Sequence, residues 1–170
     1  NLFDTEDDTL TQDDEFLPWG LRRWTRTRYK TKINTLYKTI AAAGGWEAPA
    51  VIGLCETENR KVIEDLIYTT GLARYDYGII HRDSHDERGI DVCMVYRKEV
   101  VKVIDHEYFL PPDSGGIVFS TRDVLYAKIA LRDDTLNLFL NHWPSRRGGV
   151  LAGEEQRQRI ARLRRSKADS

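Results

Sequence analysis

Two short stretches of this chain gather side chains that could act on a phosphate ester. The first, Glu56-Thr57-Glu58-Asn59, follows an apolar run over residues 49–55. The second, Asn141-His142-Trp143-Pro144-Ser145-Arg146-Arg147, follows Leu138-Phe139-Leu140. A lone carboxylate at a strand end is a poor chelate for a transition metal. It suits Mg²⁺, which keeps most of its waters and takes one or two carboxylates plus phosphate oxygens. An imidazole, a carboxamide (Asn141), a hydroxyl (Ser145) and two guanidiniums (Arg146, Arg147) suit the phosphate itself. Arg presents a planar fork of donors, and His exchanges a proton near neutral pH. His142 could serve as a general acid or base, as an electrostatic clamp on a phosphate oxygen, or as a plain structural histidine. A strand ending in a wet, charged loop would read the same way.

Of the two glutamates, Glu56 is expected to face the site, and Glu58 to open the following helix and favour its dipole. Arg88-Gly89-Ile90-Asp91 forms a loop-to-strand junction. There Arg88 and Asp91 are expected to pair with each other, with Arg88 a secondary candidate for holding phosphate. Arg157 lies near the start of the last predicted helix and could point back at the loop after His142.

These groups need strands whose ends meet. Pro144 cannot donate to a sheet ladder and biases Trp143 away from helix, so the strand through residue 140 must end beside His142. The continuous apolar run 49–55 predicts a strand buried on both faces. A polar turn and a helix follow it, which places Glu56 at a strand's carboxyl end, where open α/β sheets keep their sites. Residues 4–28 read as a long, mostly irregular segment punctuated by Pro18-Trp19-Gly20. Ile33, Leu36, Tyr37 and Ile40 predict an amphipathic helix over 29–44, whose stripe is core, stopped by Gly44-Gly45. Val62, Ile63, Leu66 and Ile67 predict a second, stopping at Gly71. Strands are expected over 77–81, 91–97, 100–105, 124–131 and 136–141, the last two as a hairpin around 132–135, with loops at 82–89 and 111–116. An Arg-rich helix over about 153–167 closes the chain. Strand runs with helices outside them argue an α/β sandwich.

A length of 170 residues allows one domain with a sizeable core. Charge is balanced, 26 basic against 27 acidic residues, so no global field demands a polyanion. Locally the balance breaks. Residues 1–15 carry seven carboxylates and no base, 16–38 carry seven bases and no acid, and 146–167 carry eight bases against two glutamates. Such blocks can focus an anion, though solvated surface is their ordinary use. Cys55 and Cys93 sit in apolar runs, as buried thiols do, and make no disulfide framework. No apolar run approaches the ~20 residues of a membrane span, and no signal-peptide pattern is seen. The chain opens at Asn1 without an initiator Met, which is read as processing or trimming.

Four motifs together carry a resemblance: Asn1-Leu2-Phe3-Asp4, Gly53-Leu54-Cys55-Glu56-Thr57-Glu58-Asn59, Arg88-Gly89-Ile90-Asp91-Val92 and Asn141-His142-Trp143-Pro144-Ser145-Arg146. In order and approximate spacing they resemble the endonuclease/exonuclease/phosphatase superfamily, whose fold is like that of deoxyribonuclease I. They look most like its bacterial branch that includes extracellular nucleases. The resemblance runs across the whole chain. It implies an α+β fold, a four-layer α/β sandwich with mixed, mostly antiparallel sheet, present here as an incomplete, N-terminal portion. It implies that Glu56 binds the metal, Mg²⁺ or Mn²⁺, and that His142 is the first of two histidines contacting the scissile phosphate. Arg157, in Glu155-Gln156-Arg157, resembles an arginine beside that cleft. Asn141, Ser145, Arg146 and Arg88 would complete the phosphate contacts.

The family's metal-site asparagine lies just before its Asn-Leu-Phe run, so Asn1 does not match it. Its Gly-Asp-Phe-Asn-like strand end and its Ser-Asp-His, which carries the principal acid/base pair, do not occur after His142. Asp105-His106, the one Asp-His in the sequence, lies mid-chain and is a poor substitute. The chain is therefore expected to hold half a site and to be inactive alone. The implied activity is a metal-dependent phosphodiester hydrolase, first of all a nuclease. Its rivals are a phosphatase or phosphodiesterase of the same fold acting on phosphorylated lipid or sugar, and a non-catalytic fragment that binds nucleic acid. Expected partners are nucleic acid or another phosphoester, and a second copy through the sheet face a half sandwich leaves uncovered. Export to the periplasm or beyond is slightly favoured over the cytoplasm.

Overall fold

Capping chemistry and helical spacing set the outer layer. The computed structural model describes residues 1–7, 11–45, 47–84, 86, 88–109, 123–142 and 158. In it α1 (Arg26–Ala43) begins at Thr25, whose hydroxyl accepts the Arg28 N–H at 3.4 Å. It buries Tyr29 and Ile33, with Leu36, Tyr37 and Ile40 packed beside them. Helix α2 (Arg60–Tyr68) is capped by Asn59, whose side chain accepts the Val62 N–H at 3.0 Å, and it buries Val62, Ile63, Leu66 and Ile67. Gly71 does not simply stop it: a 3₁₀ turn, Gly71–Arg74, follows.

The strands form two antiparallel sheets. The first has the order β1 (Val51–Thr57), β3 (Asp91–Arg97), β2 (Tyr77–Ile80). The second runs β4 (Val101–Phe109), β5 (Val124–Leu131), β6 (Asp134–Leu140). One face of the first sheet, with Ile52, Cys93 and Val95, packs on the helices. Its other face, with Val92 and Met94, meets Val101, Leu125, Ala127 and Ile129 of the second sheet. This alternation is what a strand with two covered faces requires. Helices, sheet and sheet make three of the sandwich's layers among the described residues. Ile104 and Leu136 on the second sheet stay exposed.

Several sequence expectations change. Strand β1 is not buried on both faces: Gly53 and Cys55 are exposed, because only Val51 of that face joins the core between the sheets. Cys93 is a buried thiol, but Cys55 is not. The β5–β6 hairpin is tighter than expected, since Leu131 pairs with Asp134 and leaves Arg132-Asp133 as the turn, with Arg132 at φ 56°. The irregular N-terminal segment is packed: Phe3 stacks on Phe16 at 4.0 Å, and the Trp24 indole N–H donates to the Phe3 carbonyl at 2.8 Å. The loop expected at 111–116 lies outside the described residues. So does the closing helix expected at 153–167, apart from Gln158, which is helical. No described helix is long and apolar enough to cross a membrane.

Candidate functional site

Glu56 occupies a β-bulge. Cys55 pairs with Val92 and Thr57 with Asp91, so Glu56 is the extra residue on β1, and its φ is 62°. A bulge leaves its extra residue unpaired and re-aims the side chain. The first residues brace it: the Leu2 N–H donates to the Glu56 carbonyl at 2.8 Å, and the Glu58 N–H to the Leu2 carbonyl at 3.1 Å. Residues two apart on an unbroken strand share a face; the bulge is what separates Glu56 from Glu58.

Strand β6 delivers His142 to the same place. Leu140 packs over Gly53, where an added Cβ would come within 2.7 Å of Leu140 Cδ2. The Cys55 thiol donates to the Asn141 carbonyl at 3.8 Å. Beyond this crossing the His142 Nε2 stands 3.2 Å from Glu56 Oε1. Among the described residues the buried His142 Nδ1 has no hydrogen-bond partner. Burial pushes the ring below its ordinary pKa. The Glu56 charge opposes that shift, Arg88 reinforces it and Asp86 opposes it.

Glu58 does not serve the helix dipole as expected, because Asn59 takes the capping role and Glu58 turns inward. Its side chain accepts the Asp4 N–H at 2.6 Å, and it is only 6 % exposed. Burial pushes its carboxyl up to about 8; the Asp4 N–H resists, while the Asp4 charge and a hydrogen bond with the Asp13 carboxyl reinforce the rise. This buried group of Asp4, Asp13 and Glu58 was missed in the sequence. The signal that could have found it was an acidic block with no base beside the Asn-Leu-Phe-Asp motif.

The Arg88–Asp91 pair does not form. Arg88 lies on Asp86, Nε to Oδ1 at 3.3 Å, while Asp91 holds His81 at 3.2 Å and accepts the Ser84 N–H at 2.8 Å. Asp91 is buried and needs partners that stay buried, and the His81 side chain, 3 % exposed, supplies one where a half-exposed Arg88 would not. Arg88 remains near enough to influence the His142 ring. The Asn141 carboxamide donates to the Phe139 carbonyl at 3.4 Å. Asp105-His106 lies on exposed β4 and takes no part. Ser145, Arg146 and Arg157 lie outside the described residues.

Glu56 and His142 thus come together, with Arg88 and Asn141 nearby. The donor chemistry at Glu56 fits a hard divalent ion: a carboxylate, 32 % exposed, one oxygen of which faces an imidazole while the carboxylate stays open to solvent. Groups of three ligating side chains occur elsewhere among the described residues, at His81-Asp83-Asp91 and at Asp7-Asp13-Asp14.

Comparison with known structures gives the fold a wider setting. An endonuclease/exonuclease/phosphatase from Bacteroides vulgatus is 23 % identical, with a TM-score of 0.58 over 82 % of this chain and 52 % of its own. D. rerio TDP2 complexed with a single-strand DNA product is 16 % identical, with a TM-score of 0.55 over 82 % of this chain and 49 % of its own. A mannosyl-6-phosphatase from Bacteroides thetaiotaomicron is 16 % identical, with a TM-score of 0.51 over 80 % and 51 %. This chain spans about half the length of each. By sequence, no curated protein matches it. Residues 1–170 match the sequence profile described as the Endonuclease/Exonuclease/phosphatase family. With two packed antiparallel sheets, an outer helical layer and that match along its whole length, the chain belongs to the endonuclease/exonuclease/phosphatase family of hydrolases.

Proposed function

We propose that this chain carries half the site of a metal-dependent phosphodiester hydrolase, with a nuclease as the first reading. One observation carries it: a carboxylate from β1 and an imidazole from the end of β6 meet at 3.2 Å where the two sheets' strand ends come together. Glu56 would hold Mg²⁺ or Mn²⁺, and the bound ion would supply charge neutralisation at the phosphoryl oxygens. His142, held short of its proton by burial, acts as a neutral hydrogen-bonding ring that orients phosphate. Arg88 adds positive charge at the rim, and Asn141, Ser145, Arg146 and Arg157 are the further phosphate contacts. Deprotonation of the attacking water falls to residues of the fold beyond this half.

A second reading keeps the chemistry and changes the ester to a phosphorylated sugar or lipid head group. A sugar phosphatase of this fold favours it, and fold alone does not choose. A third reading, nucleic-acid binding without cleavage, draws on the exposed bases of α1, among them Arg26, Arg28 and Lys30. The test uses the full-length protein containing this chain. Plasmid DNA should be nicked in Mg²⁺ and spared in EDTA, with little phosphate released from small esters. Glu56→Ala should lower cleavage by at least about 10²-fold. Phosphate release with DNA left intact would move the reading to the sugar or lipid ester. Salt-sensitive DNA binding indifferent to Mg²⁺, with no turnover, would leave the binding fragment. The 170-residue chain alone should be silent.

A further inference from the structure

The acidic N-terminal block has no part in that chemistry, yet it folds three of its carboxylates together. One oxygen from each of Asp7, Asp13 and Asp14 lies within 4.8 Å of the others. Bases that pair with other carboxylates of this segment are engaged there: Lys61 with Asp4 at 3.4 Å and Glu6 at 3.2 Å, and Arg22 with Glu15 at 3.2 Å. Among the described residues no cation pairs with any of the three. A second, independent observation points to a ligand. Asp13 is 2 % exposed, and its buried Oδ1 has no hydrogen-bond partner among the described residues. A carboxylate oxygen shut off from water and given no donor is costly, and two more carboxylates beside it compound the cost. A bound cation answers both.

We propose that Asp7, Asp13 and Asp14 form a cation site separate from Glu56, and that its ion is Ca²⁺. The donors are all oxygens, which disfavours metals that prefer nitrogen or sulfur. Two exposed carboxylates and a buried one, with Asp13 and Asp14 at the start of the short 3₁₀ turn Asp14–Phe16, make an adaptable set. Ca²⁺ accepts such sets at about 2.3–2.6 Å with carbonyls and water filling six to eight positions, whereas Mg²⁺ demands a tight octahedron. The ion fastens the turn at residues 13–16 to the end of β1, because Asp13 touches Glu58 and Phe16 stacks on Phe3.

Thermal unfolding of the full-length protein containing this chain, with and without CaCl₂, tests this. With Ca²⁺ about 100-fold above its dissociation constant, Tm should rise by about 5 °C or more. Glu56→Gln should keep the rise. The double exchange Asp7→Asn/Asp14→Asn, at two exposed positions, should abolish it. Calorimetric titration with CaCl₂ should find one site in the Glu56→Gln protein, weakened at least tenfold by Asp14→Asn alone. No rise in the unaltered protein, a rise kept by the double variant, or an equal rise with MgCl₂ would overturn the proposal.

Discussion

Glu56 and Glu58 leave the same strand two residues apart, and one bulge gives them opposite surroundings. Glu56, 32 % exposed at the rim, faces an imidazole. Glu58, 6 % exposed, faces two other carboxyls and one backbone N–H. The first arrangement draws positive charge and leaves the carboxylate open to exchange partners. The second pushes its carboxyl up to about 8 and locks the N-terminal segment against β1. Residue type therefore decides little here; the φ of 62° at Glu56 decides which carboxylate can serve a ligand and which serves the fold.

The largest test of that contrast is truncation at each position. Glu58→Ala leaves the Asp4 N–H and the Asp13 carboxyl without their buried partner and should cost about 2–4 kcal/mol in urea unfolding. Glu56→Ala removes only a half-exposed pair with His142 and should cost under about 1 kcal/mol. Equal losses would erase the distinction. The pH dependence sharpens it. Because the folded Glu58 carboxyl holds its proton up to about 8, against 4.5 when free, its contribution to stability is complete below 4.5. It is lost as pH rises toward 8. Glu58→Gln, which cannot titrate, should flatten that decline, as read from unfolding midpoints between pH 4.5 and 8.

Next in size is the crossing that brings the two strands' ends together. Gly53→Val would drive a side chain into Leu140, already 2.7 Å from a hypothetical Cβ. It should cost about 1–3 kcal/mol in thermal unfolding, and it should loosen the Glu56–His142 contact while leaving the Glu58 pocket intact. Asn59→Ala, which removes the oxygen that accepts the Val62 N–H at 3.0 Å, should cost about 1 kcal/mol.

How far the sequence reveals this depends on the kind of information each feature needs. The helices are legible because their stripes repeat: Val62, Ile63, Leu66 and Ile67 are all buried as their spacing requires. The meeting of Glu56 and His142 is legible from strand ends and the family motifs, since Pro144 must break the strand beside His142. The bulge is not legible, because a positive φ at a glutamate leaves no mark in composition. Glu58 accordingly reads as a helix-opening residue, although Asn59 fills that role. The partner of Asp91 is likewise hidden: Arg88 lies three residues away in sequence, but burial of Asp91 selects His81, ten residues away. The exposure of Cys55 escapes too, since an apolar run records hydrophobicity and not which sheet covers it.

The smallest expected effect probes the rim most directly. The His142 ring titrates below its ordinary 6.5, with burial as the leading cause. Proton uptake is thus weaker in the folded chain than in the unfolded one. The stability tied to a neutral ring is full above 6.5 and is lost as pH falls through the lower folded value. Glu56 and Arg88 pull the ring in opposite directions. Glu56→Gln should therefore lower the His142 midpoint further in an NMR titration of the imidazole protons, while Arg88→Gln should raise it. Glu58→Gln should leave it in place, since that side chain turns inward to accept the Asp4 N–H. A His142 midpoint that moved with Glu58 and not with Glu56 would mean the bulge does not divide the two carboxylates.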